Sequence, residues 1–226
     1  MKCWICKTRE ADSREHLIKA SDIRLFYPNI SSAFPVFLHK NNRRNIPLYS
    51  AKANKIKTEN QVICRRCNDT DTSLHDDAWS ELIEYIHRNW ELIKTRKRIQ
   101  LSKVFPGKSN KMAVRFHLYF VKLFGCRIVD ESIPISIEKF SYAIRNDVPL
   151  DYFYLTFNYR TLKKTYIGVS DIHAKNYSGS IEMTSWYYML GELDVQITWF
   201  KNKPKKNVSR AWSPNNRGKH IQFRAR

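Results

Sequence analysis

The chain has 226 residues, 42% hydrophobic and 13% aromatic, and its 40 Lys and Arg against 21 Asp and Glu leave a formal charge of +19. That apolar share supports a packed core and excludes a disordered polycation; with no apolar run of roughly 18 residues and no hydrophobic signal segment at Met1-Lys2-Cys3-Trp4, a cytoplasmic protein without membrane attachment is expected. The positive excess points to a polyanion, nucleic acid above all, although charge alone does not separate DNA, RNA, an acidic membrane face and an acidic protein.

The first element is a metal knuckle. Cys3-Trp4-Ile5-Cys6 and Cys64-Arg65-Arg66-Cys67 are two C-x2-C pairs with 57 residues between them. Two intervening residues let both thiolates face one ion from a tight turn, and two such pairs complete the tetrahedral S4 shell of a structural Zn2+. Disulfides are the alternative, disfavoured without a secretion signal. The fifth cysteine, Cys126, follows Phe124-Gly125 in an apolar stretch and is expected as a buried small side chain.

Next comes Ser13-Arg14-Glu15-His16-Leu17-Ile18, which reads as the start of a strand. Neighbouring strand residues face opposite ways, so Glu15 and His16 share a pocket only if the strand bends or ends there. Taken alone, the pair reads as part of a solvated edge. The second knuckle runs straight into Asn68, which a bound metal would hold rigidly enough to offer its amide oxygen to a second ion.

In this order, Cys3/Cys6, Glu15-His16-Leu17-Ile18 and Cys64/Cys67-Asn68, followed by Thr72, Asp76 and Ala78-Trp79, the sequence resembles the HNH endonucleases, the ββα-metal nucleases, over roughly residues 1–90. The resemblance implies that His16 is the general base that deprotonates the attacking water. It implies that Glu15 and Asn68 hold one catalytic divalent ion, and that the four cysteines are the structural shell. Asn60 stands where the family's middle Asn orients the base through the loop backbone. The implied products are a 5′-phosphate and a 3′-hydroxyl. The sequence departs from the pattern at Lys19, where many members have Pro, in lacking a Gly-Gly after the His, and in a long basic stretch over 20–58.

The chemistry of the residue types agrees. A neutral His suits proton abstraction from water, and a hard cation on carboxylate and amide oxygens suits the charge on phosphorus, which favours Mg2+ or Mn2+. His75 and Asp76 are secondary candidates for that ion; Asp76 and Asp77 are otherwise the acidic first turn of the next helix.

From Asp76 an apolar stripe of Trp79, Leu82, Ile83, Ile86, Trp90 and Ile93 predicts one amphipathic helix. It ends in Lys94, Arg96, Lys97 and Arg98, candidate phosphate contacts. Phe105-Pro106-Gly107 predicts a boundary, and a helix over 111–124 stops at Gly125. A short helix is expected over 137–144, then strands over 152–159, 165–172, 181–190 and 195–200. His117 and His173 are expected to fill core or surface positions. The last stretch, 201–226, has nine Lys and Arg, no acid, and interleaved aromatics. Lys205, Lys206, Arg210 and Arg217 are its candidate nucleic-acid contacts, a solubilising terminus being the alternative.

The expected fold class is α+β: an N-terminal ββα-metal (HNH) zinc-knuckle nuclease domain over 1–104, a β-rich α+β domain with smaller helices over 105–200 that binds substrate or partner, and a basic tail over 201–226. The expected activity is metal-dependent endonucleolytic cleavage of DNA, duplex foremost, in restriction or other anti-phage defence. A non-catalytic zinc-dependent nucleic-acid-binding protein and an RNA-directed nuclease are the alternatives. A homodimer or a regulatory protein partner stays open. Charge does not separate the parts, since residues 1–104 carry net +8 and the remainder net +11.

Overall fold

A computed structural model describes the chain apart from residues 41–42, 161–165, 178–179, 205–207, 209–210 and 217, with the backbone alone for 43, 44 and 177. Lys205, Lys206, Arg210 and Arg217 therefore lie outside the described residues or side chains. The elements run α1 (Ala20–Phe26), β1 (Val36–Lys40), β2 (Arg43–Leu48), α2 (Ser73–Arg88), α3 (Trp90–Arg96), β3 (Arg98–Gln100), α4 (Leu101–Val104), α5 (Ser109–Asp130) and α6 (Glu138–Asn146). Then follow β4 (Phe153–Tyr159), β5 (Tyr166–Val169), β6 (His173–Tyr177), β7 (Ser180–Leu190), β8 (Leu193–Phe200) and β9 (His220–Ala225). The class is α+β, and among the described residues no helix is long and apolar enough to cross a membrane.

The strands form one mixed sheet in the order β2-β1-β5-β7-β8-β4-β9-β3, with β6 also paired to β7. Since β8 takes one side of β7, β5 and β6 share the other. Period-two burial in β4, β7 and β8 turns Phe153, Leu155, Phe157, Trp186, Tyr188 and Ile197 to one face, where the helices pack. Strands from 1–104, from 105–200 and from 201–226 all enter this sheet, and one contiguous core joins them. The three segments are thus interleaved. β9 is short and flanked by charge, but its alternating Ile221 and Phe223 are buried, as is Trp212 before it.

The helix expected from Asp76 breaks at Asn89, whose side chain and backbone both donate to the Tyr85 carbonyl and so close α2 before Trp90 opens α3. The helix expected to stop at Gly125 instead runs through it to Asp130. Gly125 serves packing: a Cβ there would lie 2.5 Å from the Trp4 indole. From Phe116 to Ile128 every residue of α5 is buried, covered by Trp79 and Tyr188 against Phe120 and by Trp212 against Phe116. The strand expected at Glu15 is reduced to single bridges, Ser13 with Ile63 and His16 with Lys57. Leu17 is bonded back to Ile56 and α1 starts at Ala20, so the pairing has no room to extend.

Candidate metal centre and adjoining polar site

The first knuckle is a closed loop. Cys3 donates its backbone N–H to Arg9 O (2.9 Å), Lys7 donates to Cys3 O (2.8 Å), and Lys7 adopts a left-handed φ of 61° that turns the chain back toward the ion site. In the second, Cys67 N–H donates to Cys64 Sγ (3.4 Å) and Arg65 N–H to Asp12 Oδ1 (2.6 Å). Thr72 then secures the following turn by donating its hydroxyl to the Cys67 carbonyl (2.8 Å).

These turns bring Cys3, Cys6, Cys64 and Cys67 together with all four Sγ atoms within 4.8 Å of one another. Cys6 and Cys64 are 3.9 Å apart, far beyond a disulfide and close to the ~3.8 Å edge of a tetrahedron built on Zn–S bonds of about 2.3 Å. Burial raises Cys67, and the three neighbouring sulfurs raise it further. A cation removes that mutual repulsion, so the donor set fits a metal ion. The cluster could hold one.

The knuckle is anchored to α5 through the residue between its cysteines. Trp4 lies on Gly125 and donates its Nε1–H to Cys126 Sγ (3.3 Å). Cys126 is fully buried.

Glu15 and His16 sit beside this centre on a segment hydrogen-bonded to residues 56–63. Thr58 N–H donates to Glu15 O (2.8 Å), and Thr58 Oγ1 accepts from Glu15 N–H (3.1 Å). The Glu15 side chain is buried 3.4 Å from Lys122 Nζ. Lys122, 1% exposed on α5, also donates to both carboxylate oxygens of Asp76 (3.0 and 2.8 Å). Glu15 and Asp76 keep this ammonium protonated against burial. Lys19 adds a bond from its Nζ to the Asp76 carbonyl (2.8 Å) and to Ser80 Oγ (2.7 Å).

His16 is half-buried, and its Nε2 is itself shielded from solvent with no hydrogen-bond partner. Burial first, and then Lys57, Lys122, Arg14 and Arg24, together lower its pKa to about 4. The imidazole is neutral at neutral pH, the form that accepts a proton. The four cations that depress it would also attract a phosphate.

The remaining residues expected here divide. Asn68 meets the segment two residues before Glu15, its Nδ2 donating to Ser13 Oγ (3.1 Å). Asn60 is turned to the end of α5: its backbone N–H and Nδ2 both donate to Asp130 Oδ1 (2.8 and 3.1 Å). It meets the Glu15 segment only by way of Thr58, whose hydroxyl donates to Asn60 O (2.9 Å). His75 is engaged elsewhere, its Nε2 lying 3.1 Å from Asp147. Asp76, expected mainly as a helix-start acid, lies in the polar site through Lys122. Among the basic residues after α2, Lys94 pairs with Glu91 and Glu192, while Arg96, Lys97 and Arg98 are exposed.

Lys122 itself was not legible from the motifs, which end some thirty residues before it. A lone Lys in the apolar run Val121 to Leu123 was the available signal. Glu15 and Asn68 offer the oxygen chemistry of a hard divalent ion, which needs only one or two carboxylates. The Lys122 ammonium, however, already lies between Glu15 and Asp76, so such an ion takes its place or binds beside it. Comparison with family models, curated proteins and solved structures finds no match to this chain.

Proposed function

We propose that the protein is an HNH-type endonuclease that hydrolyses phosphodiester bonds of DNA, with a structural Zn2+ on its four cysteines. The observation that carries this reading is His16, a neutral imidazole whose Nε2 is buried and unpartnered, directly after the buried Glu15 and near four cations, in the segment that leads from the first cysteine pair. In this reading His16 Nε2 takes the proton of the attacking water. Arg14, Arg24 and Lys57 draw the phosphate to it. Thr58 and Ser13 fix the backbone of Glu15 and the amide of Asn68, the two oxygen donors for Mg2+ or Mn2+. When bound, that ion supplies charge stabilisation at the phosphoryl group and the leaving oxygen. A role in restriction or other anti-phage defence is consistent with a nuclease site built against a large sheet of unassigned role.

The test is incubation of the purified protein with plasmid and with modified and unmodified phage DNA in Mg2+ or Mn2+, the ends being sequenced. Wild type should cut and leave 5′-phosphates. His16→Ala should lose about 10²-fold or more of the rate while zinc content and DNA binding survive. Undiminished cleavage by His16→Ala would overturn the assignment.

A second reading, a zinc-dependent protein that binds nucleic acid without cutting it, is favoured by Lys122. Its ammonium neutralises Glu15 and Asp76 as a metal ion would. On this reading wild type binds DNA with a steep salt dependence and leaves it intact in every divalent ion.

A further inference from the structure

The face of the sheet turned away from the helices carries partly exposed rings. Register sets the arrangement: Tyr187 on β7 lies opposite Gln196 on β8, and Tyr154 on β4 lies opposite Thr198, two residues further along the same face of β8 and two before Phe200. All five are partly exposed, in contrast to the buried residues that alternate with them. Gln196 to Phe200 spans about 13 Å, roughly the length of four stacked nucleotides at 3.4 Å each.

The charges on this face are positive. The buried Asp194 is matched by two arginines, with Arg160 Nε and Arg226 Nη1 each 3.1 Å from its Oδ2. Arg226 lies over the Tyr187 ring at 4.3 Å, and Arg160 lies over Tyr166 at 5.7 Å. At the end of β8, between α6 and Phe200, lies a cleft of about 660 Å³ whose lining includes Lys139, Arg145, the exposed ring of Tyr142, and Lys201, itself paired with Glu182. Its acids are Glu138, already paired with Lys7, and Asp151.

We infer that this open face is a platform for single-stranded nucleic acid, on which Tyr154, Tyr187 and Phe200 stack unpaired bases while Arg160, Arg226 and the basic residues of the cleft hold the phosphates. Partly exposed rings on an open sheet face, Tyr154 and Phe200 edge-to-face at 6.1 Å, offer aromatic surface to splayed bases, whereas a duplex hides its bases and meets the cations alone. The net positive charge of the face selects the polyanion over an acidic-rimmed protein surface. The Arg226 guanidinium occupies a stacking position on Tyr187 that a base would share or take. This platform is separate from His16, and it stands or falls independently of cleavage.

Fluorescence anisotropy of full-length, zinc-loaded protein without added divalent ion tests it. The probes are a 15-nucleotide oligo(dT), an oligo(U) and a blunt duplex of equal length. Tyr187→Leu and Phe200→Leu should each weaken oligonucleotide binding about tenfold, the worth of one stacked base, and change duplex binding much less. Tyr187→Phe, which keeps the ring, should retain binding, and unfolding midpoints would show that the variants fold. His16→Ala should bind as wild type does, which keeps a failure of the nuclease reading distinct. Equal losses on single strand and duplex, or no loss on either, would overturn the platform. So would a loss of self-association in Tyr187→Leu with no loss of oligonucleotide binding, which would make a second copy the occupant. The ratio of oligo(dT) to oligo(U) affinity says which strand chemistry the platform prefers.

Discussion

Replacing Gly125 by alanine should destabilise the protein, although the same change in an exposed helix interior stabilises. Gly125 lies inside α5, where alanine is favoured over glycine by about 0.8–1 kcal/mol. Its added methyl, however, would sit 2.5 and 2.6 Å from two carbons of the Trp4 indole. Trp4 has little freedom to move, being 4% exposed, hydrogen-bonded to Cys126, and held at both ends of its turn by Cys3 and Cys6. Overpacking of this kind costs typically 1–3 kcal/mol, so after the helix gain the expected net loss is up to about 2 kcal/mol. Strain on the knuckle should also speed zinc loss to a chelator. Urea unfolding gives the first quantity, and release to a coloured chelator gives the second. Adding Trp4→Phe removes part of the indole and should recover some of the loss, so the two substitutions should be non-additive. A Gly125→Ala protein about 1 kcal/mol more stable than wild type, with unchanged zinc release, would refute the packing of Trp4 on α5.

Lys122→Met should cost about 3–5 kcal/mol, because it strands the carboxylates of Glu15 and Asp76 without their cation; adding Glu15→Gln should restore part of this in urea unfolding. If the lysine holds the place of a divalent ion, Mn2+ should raise the unfolding midpoint of Lys122→Met more than that of wild type. Asp22 accepts from Trp79 Nε1 and the Tyr188 hydroxyl, and burial holds its pKa up at about 6 against 3.8. The folded state thus binds this proton more tightly than the unfolded chain, and the stability it confers is complete below pH 4 and lost as pH rises through 6. The loss is about 3 kcal/mol, and Asp22→Asn should remove that decline from the stability–pH curve; an unchanged curve would count against it. If the four cysteines hold a metal as proposed, stripping it should lower the unfolding midpoint by more than about 10 °C and expose Trp4, read by a red shift in its emission.

What the sequence conveyed follows the range of the signals. The two C-x2-C pairs are local, so they predict a four-thiol cluster that the fold assembles. The apolar stripe from Trp79 to Ile86 is also local, and α2 buries it. The long alternating runs of β4, β7 and β8 were legible as strands for the same reason. By contrast β1, β3 and β9 depend on partners far away in the chain: β1 pairs in parallel with β5, β3 with β9, and β9 with β4, while β2 is added as the hairpin partner of β1. Short, charged segments become strands here because a neighbour supplies the ladder and the core supplies the apolar surface. Asn60 looked like part of the chemistry by its motif position, yet its side-chain partner is Asp130, a residue that no local pattern links to it.

That last contact belongs to a wider pattern on α5. Lys122, Gly125, Cys126 and Asp130 are spaced i, i+3, i+4 and i+8 and so line one face of the helix. In order, they hold Glu15 and Asp76, receive the Trp4 indole, accept its N–H, and pin Asn60 and Glu59. Each partner lies in the part of the chain that carries the motifs, and each contact comes from beyond residue 104. The opposite face of the same helix packs on the sheet through Phe120 and Phe124. One buried helix therefore sets both the geometry of the thiol cluster with its polar neighbour and the position of the sheet whose outer face is open. Residues 1–104 cut at a motif boundary would lose the lysine between the carboxylates and the seat of Trp4. A chain ending there should fail to hold Glu15 and Asp76 in place even with zinc bound, and an excised 1–104 fragment that folds cooperatively with wild-type zinc affinity would refute this dependence on α5.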